Sequence, residues 1–171
     1  MKRKVEVVPF QSSWASAFQQ EADWLKAIWR EDLLAVHHIG STSIKGMCAK
    51  PIIDIMLVVK DINRADSFNE EMMGIGYEPM GENGIEGRRF FRKGGNERTH
   101  HVHVFEEGNQ EIERHLLFLD YLREHPQEAR AYAELKGRLA ADHPKDIDSY
   151  IEGKDAFIKA VDEAASRWKR T

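Results

Sequence analysis

Residues 51–59, Pro-Ile-Ile-Asp-Ile-Met-Leu-Val-Val, constrain the fold more than any other stretch. The run is far shorter than the ~20 residues a membrane helix requires, and it is dominated by Ile and Val, so it reads as a buried strand. One acid, Asp54, interrupts it. An ionised carboxylate amid Ile and Val is costly to bury unless it meets a metal ion, a positive partner or hydrogen-bond donors. Two readings stand side by side. Asp54 is structural, accepting hydrogen bonds from the neighbouring loop or pairing with Lys50 or an arginine, or it holds a cation.

The flanking sequence supplies a sheet for this strand. Residues 5–8, 33–39, 77–80, 88–93 and 99–106 read as short strands, and Gly94-Gly95-Asn96 between the last two predicts an antiparallel hairpin. Trp14, Phe18, Ala22, Leu25, Ile28 and Trp29 recur at helical spacing behind Ser12 or Ser13 as N-cap. Asp61 caps a second helix running to about Met73, which leaves through Gly74-Ile75-Gly76. From about residue 109 the period becomes helical throughout. Ile112, Leu116, Leu119 and Leu122 belong to one helix, Ala129, Tyr132, Leu135 and Leu139 to a second, and Ile151, Phe157, Ile158 and Val161 to a third. His125-Pro126 and His143-Pro144 separate them, because a residue before proline is pushed out of the helical region. The expected fold is α/β of the α+β kind: a mixed sheet flanked by helices, in a single domain over residues 1–171, with the helical segment from about 109 packed on it.

Composition narrows the function classes. A chain of 171 residues with 42% hydrophobic content can bury enough surface to be stable without disulfides or a structural metal. The lone cysteine, Cys48, cannot form an internal bridge, and the chain does not open on a charged-then-apolar leader, so a reducing cytoplasm is expected. A net charge of -4 argues against general attraction to nucleic acid, without excluding it, and leaves room for a local basic site that holds a phosphate-bearing ligand.

Such a site is offered by the turn before the buried strand. Gly40 lets the backbone approach a ligand closely, Ser41 adds a hydroxyl, and consecutive backbone N–H groups beside them can hold phosphate oxygens. His101 and His103 alternate along a strand and share one face, whereas His100 faces the other way. Arg89 and Arg92 carry guanidinium forks that suit phosphate and equally suit an exposed strand face. Tyr132 with Lys136, and Tyr150 with Lys154, are four residues apart and share helix faces, either as packing with snorkelling lysines or as cation and ring beside a ligand.

His38-Ile-Gly-Ser-Thr, Lys50-Pro-Ile-Ile-Asp-Ile, Arg89-Phe-Phe-Arg, His101-Val-His-Val and the spacing of Tyr150 to Lys154 together resemble the GrpB-like family of the nucleotidyltransferase superfamily. That resemblance implies a nucleotidyltransferase-type cleft and metal-assisted nucleotidyl or related phosphoryl transfer from a nucleoside triphosphate, or another phosphate-rich small molecule, to an unidentified acceptor. It places Asp54 at the catalytic cation. It gives phosphate or nucleotide contacts to Gly40, Ser41, Arg92, Lys136, Tyr150 and Lys154. One departure matters: the second acid expected two residues after Asp54 is Met56, a soft and weak ligand. His101 and His103 are the expected replacements, completing a one-Asp, two-His site for magnesium, manganese or a transition metal. Two further functions stay open, a catalytically degenerate nucleotide-binding or regulatory module and an Asp/His metal-dependent phosphohydrolase.

Overall fold

The computed structural model describes residues 4–169. Five strands, β1 (Leu33–Ile39), β2 (Ile53–Val59), β3 (Tyr77–Pro79), β4 (Arg88–Lys93) and β5 (His100–Glu106), form one sheet in the order β1-β2-β5-β4-β3. β2 and β5 run parallel, and the other neighbours are antiparallel. The sheet is therefore mixed, and β4 and β5 form the expected hairpin.

Side-chain alternation divides the molecule into two layers about the sheet. On one face Ile53, Ile55, Leu57 and Val59 of β2, with Val102 and Val104 of β5, pack under α1 (Ser13–Trp29), a 3-10 segment (Ile62–Phe68) and α2 (Asn69–Gly74). On the other, Ile39, Met56 and Phe105 pack under α3 (Gln110–Glu124), α4 (Pro126–Asp142) and α5 (Ile147–Lys169). β2 is covered on both sides, which is why its sequence runs apolar without alternating. Asp54 and Met56 share the face of α3–α5, and the register sets Asp54 opposite His101 and Met56 opposite His103.

Three details differ from the sequence reading. Residues 5–8 make only a bridge, Val8 to Ala49, while the Val5 N–H donates to the Pro144 carbonyl, so this segment is a strap over the loop and helices and not a sheet strand. Ser12 occupies the N-cap position of α1 in helical conformation and its side chain makes no cap, since capping requires an extended backbone there. Asp61 does cap, accepting from the Asn63 N–H at 2.9 Å, but the turn it opens is 3-10 before it becomes α-helical.

Candidate functional site

The end of β1 and the start of β2 lie side by side, so the turn leaving β1 closes over the second residue of β2. Gly40 makes that closure with φ +73° and ψ -179°, and a Cβ there would stand 2.7 Å from Asp54 Oδ2. Only glycine has both the backbone freedom and the missing atom. The chain then winds through a 3-10 turn, Ser41–Ser43, fixed by the Ser43 hydroxyl donating to the Gly40 carbonyl at 2.6 Å. His38 ties down this turn, 2.9 Å from Thr42 Oγ1 and stacked on Phe18 with ring centroids 4.7 Å apart.

Asp54 meets both histidines of the β5 face. His103 Nε2 lies 3.2 Å and His101 Nδ1 3.5 Å from the same oxygen, Oδ1. On its far side His103 Nδ1 is 3.4 Å from Arg88 Nη1. A guanidinium can only donate, so Nδ1 accepts, and Nε2 carries the proton that is donated to Asp54. Arg88 is buried and donates also to the carbonyls of Glu82 and Asn83. An ordered chain of donors thus runs from β4 through β5 to the carboxylate. Burial alone would raise the Asp54 carboxyl, but the hydrogen bonds from His101 and His103 outweigh it and hold the group far below the usual carboxylate range. Burial pushes His101 down from its ordinary value against the pull of Asp54, and its Nε2 is buried without a hydrogen-bond partner among the described residues.

The expected Asp54, His101 and His103 are therefore brought together, but they address one another. Among the described residues no group of three or more His, Cys, Asp or Glu side chains is arranged to hold a metal ion. His103 uses Nε2 to donate to the carboxylate, which leaves that nitrogen no lone pair for a cation. Met56 is fully buried in the core under the helices and does not reach the cavity. Asp54 is the one carboxylate among the described residues that line the cavity below. That donor set does not fit a resident metal pair.

Above Asp54 opens a cavity of about 120 Å³ walled by Ser41, Thr42, Ala49, Lys50, Ile52, Asp54, His101, Lys136, Tyr150 and Lys154. The Asp54 side chain keeps 29% of its surface exposed. α4 contributes Lys136, only 2% exposed, whose Nζ donates to the Cys48 carbonyl at 2.5 Å and lies 4.6 Å over the Tyr132 ring. α5 contributes Tyr150 with Lys154 4.8 Å over its ring, and Lys50 approaches the same ring at 5.3 Å from the loop. Burial pushes Lys136 down to about 7; the Cys48 side chain opposes that shift, and the Lys154 and Lys50 charges add to it. Lys154 is pushed down by burial against the pull of Asp54. Tyr132, pushed up to about 12 by burial, shares a hydrogen bond with Ser41.

Of the expected phosphate contacts, Ser41, Lys136, Tyr150 and Lys154 line this cavity and Gly40 sits in the turn beside it, against Asp54, whereas Arg92 lies elsewhere. Its guanidinium forks onto Glu78 of β3, at 2.9 and 3.3 Å, and stays outside the cavity wall. Arg89 likewise pairs with Asp66 at 2.9 Å. His100 faces the α1 side, 3.7 Å from Glu21. Lys50 and Thr42 were not foreseen as cavity residues. Their signal was positional, since both lie in the segment that links Gly40 to Asp54.

The GrpB protein family model matches residues 4–164. Protein YqkA of Bacillus subtilis (strain 168) is 55% identical over 169 residues, which cover 99% of this chain and 49% of YqkA, so the chain spans about half the length of that relative. The crystal structure of conserved protein GrpB from Enterococcus faecalis superposes with a TM-score of 0.93 at 47% identity, covering 97% of this chain and 100% of that one. A more distant likeness is to Cid1 in complex with the UTP analogue UMPNPP, with a TM-score of 0.52 at 16% identity over 79% of this chain and 43% of Cid1. That likeness is one of fold, and the sheet with its flanking helices is nucleotidyltransferase-like. With the match extending over nearly the whole length, the chain belongs to the GrpB protein family.

Proposed function

We propose that the cavity binds the phosphates of a nucleoside triphosphate, or of another phosphate-rich small molecule, and that the bound state serves nucleotidyl or related phosphoryl transfer to an acceptor. The observation that carries this reading is the gathering of Lys50, Lys136 and Lys154 around one carboxylate in a chain whose net charge is -4. Cations concentrated against the overall sign of the protein form a focused anion site. A volume of about 120 Å³ lies below the roughly 300 Å³ at which whole-ligand pockets begin, so it suits a phosphate group, with sugar and base outside. Support from fold comes through Cid1, which has been solved with a UTP analogue.

In this reading the Ser41 hydroxyl and the N–H groups of its turn hold phosphate oxygens, and Lys50, Lys136 and Lys154 offset the charge that develops as the terminal phosphates leave. Arg88 and His103 keep Asp54 ionised and aimed. A divalent cation, magnesium, manganese or a transition metal, would take one oxygen from Asp54 and the rest from the phosphates, and would neutralise charge at the transferring group. No described helix is long and apolar enough to cross a membrane, and the free thiol of Cys48 suits the reducing cytoplasm we assign to the protein.

A second reading, nucleotide binding without turnover, is favoured by Met56, which fills core space where a second acid would be needed. Calorimetry with a nucleotide panel, in magnesium, manganese, zinc and EDTA, tests binding; release of pyrophosphate or inorganic phosphate tests turnover. Binding that weakens at least tenfold in Ser41→Ala and Lys154→Ala is the expected result. Absence of heat and of thermal stabilisation across the panel counts against both readings.

A further inference from the structure

Resting on the phosphate-binding reading above, we propose that the cavity selects a diphosphate or triphosphate group, that its lysine ammoniums and not a resident metal ion carry the ligand's charge, and that binding draws a proton onto Lys136. The groups around Lys136 come from every element packed against it. The loop before β2 presents Cys48 and Lys50, α5 presents Tyr150 and Lys154, and Tyr132 lies one turn away on α4 itself. None of these is a carboxylate. Asp54, the acid of the cavity, has its charge engaged by His101 and His103.

Among the described residues the charged form of Lys136 has one hydrogen-bond acceptor, the Cys48 carbonyl at 2.5 Å, with the Tyr132 ring 4.6 Å away and two like charges for company in a nearly dry position. A neutral amine can make the same hydrogen bond without the repulsion or the cost of desolvating an ammonium. The depressed titration of Lys136 is in accord with that balance. An arriving polyanion reverses it, because two or more negative charges in a small cavity answer all three ammoniums at once. A singly charged anion answers one. A bare divalent cation entering first would meet the ammoniums of Lys50 and Lys154 and a single carboxylate, so the geometry favours the anion as the first arrival.

The test uses the full chain, sodium pyrophosphate as probe, EDTA throughout, and titration calorimetry in two buffers of different ionisation enthalpy. Pyrophosphate is expected to bind without metal, at least tenfold more tightly than inorganic phosphate. With Lys136 titrating at about 7, the buffer dependence should report uptake of about 0.9 proton at pH 8 and about half a proton at pH 7, beyond any uptake by the probe itself. Lys136→Arg, which cannot lose its charge, should bind with that extra uptake removed, and Lys154→Arg should keep it. Since arginine is larger than the buried site it enters, the wild-type pH series stands as a test independent of folding in the variants. Binding in EDTA without extra uptake, or binding only when metal is added, overturns this inference and leaves the phosphate site intact. Failure of pyrophosphate and every nucleotide to bind, with or without metal, overturns the phosphate reading with it.

Discussion

Replacing Gly40 by alanine is the sharpest perturbation the site offers. Two separable costs meet at this position. The backbone, at φ +73° and ψ -179°, lies in a region that is essentially glycine's own, which costs another residue on the order of 1–3 kcal/mol. The new Cβ would also stand 2.7 Å from Asp54 Oδ2, closer than real Cβ contacts come, so the turn or the carboxylate must move by several tenths of an ångström. Movement of Asp54 disrupts the 3.2 Å contact with His103, and a hydrogen bond to a charged group is worth about 1.5–3 kcal/mol. The two together amount to about 2.5–6 kcal/mol, which for a chain of this length lowers Tm by roughly 5–24 °C. Gly46→Ala supplies the control. Gly46 has φ +82° but no atom within 4 Å of an added Cβ, so it incurs backbone strain alone, about 1–2 kcal/mol. Thermal unfolding of both variants, with pyrophosphate binding measured by calorimetry, should show the larger Tm loss and at least a tenfold loss of affinity only in Gly40→Ala. Equal Tm values and unchanged affinity in the two would refute the claim that the turn is fitted to the carboxylate.

Met56→Asp places an unpaired carboxylate in the core under α3–α5, at an expected cost of about 3–5 kcal/mol that magnesium does not restore, whereas Met56→Leu should cost less than about 1.5 kcal/mol. A Tm that recovers on adding magnesium to the Asp variant would show that position 56 reaches the cavity after all. Acid should destabilise the protein earlier than ordinary carboxylates explain. Burial pushes His38 and His115 each down to about 4, so between that value and 6.5 the unfolded chain binds more protons, and stability falls as pH drops through this window. Tm should decline steadily from pH 7 to pH 4.5, less steeply in His115→Gln; a flat profile would contradict the burial of both rings.

Most of the architecture was legible because it rests on local patterns. The five strands of the sheet follow from period and turn residues and appear within a residue or two, and the β4–β5 hairpin and the three closing helices are present as proline placement and period predict. The failures are places where distant partners decide. Val5 to Val8 has strand composition but lacks a neighbouring strand, since its N–H groups meet Pro144 and Ala49. Arg92 was drawn from a phosphate-compatible side chain, yet its fate depends on Glu78 across the sheet. The cavity could be anticipated in parts, as Gly40, Ser41, Asp54 and the Tyr-Lys pairs, but not the donor chain from Arg88 to His103 to Asp54. No spacing rule connects β4 with β2, because β5 intervenes in space and the residues lie far apart in sequence. Met56 illustrates the same limit: alternation gave its face correctly, and only packing revealed that this part of the face is sealed by helices.

The parallel pairing of β2 with β5 also sets a timetable. β1 and β2 can zip together as soon as the chain reaches Val59, but β2 must then wait for a partner whose first residue is His100. Contacts of longer sequence separation carry a somewhat larger loop-closure cost, and topologies rich in them fold more slowly than those built from local helices and hairpins. During that interval the β2 edge, as apolar a segment as the chain possesses, is open to pairing with another molecule. The Asp54–His101–His103 cluster cannot exist before the edge is closed, so its appearance is a clock for completion of the sheet. A ligand that binds there would oppose reopening of the β2–β5 seam, since the cluster exists only while that seam is closed.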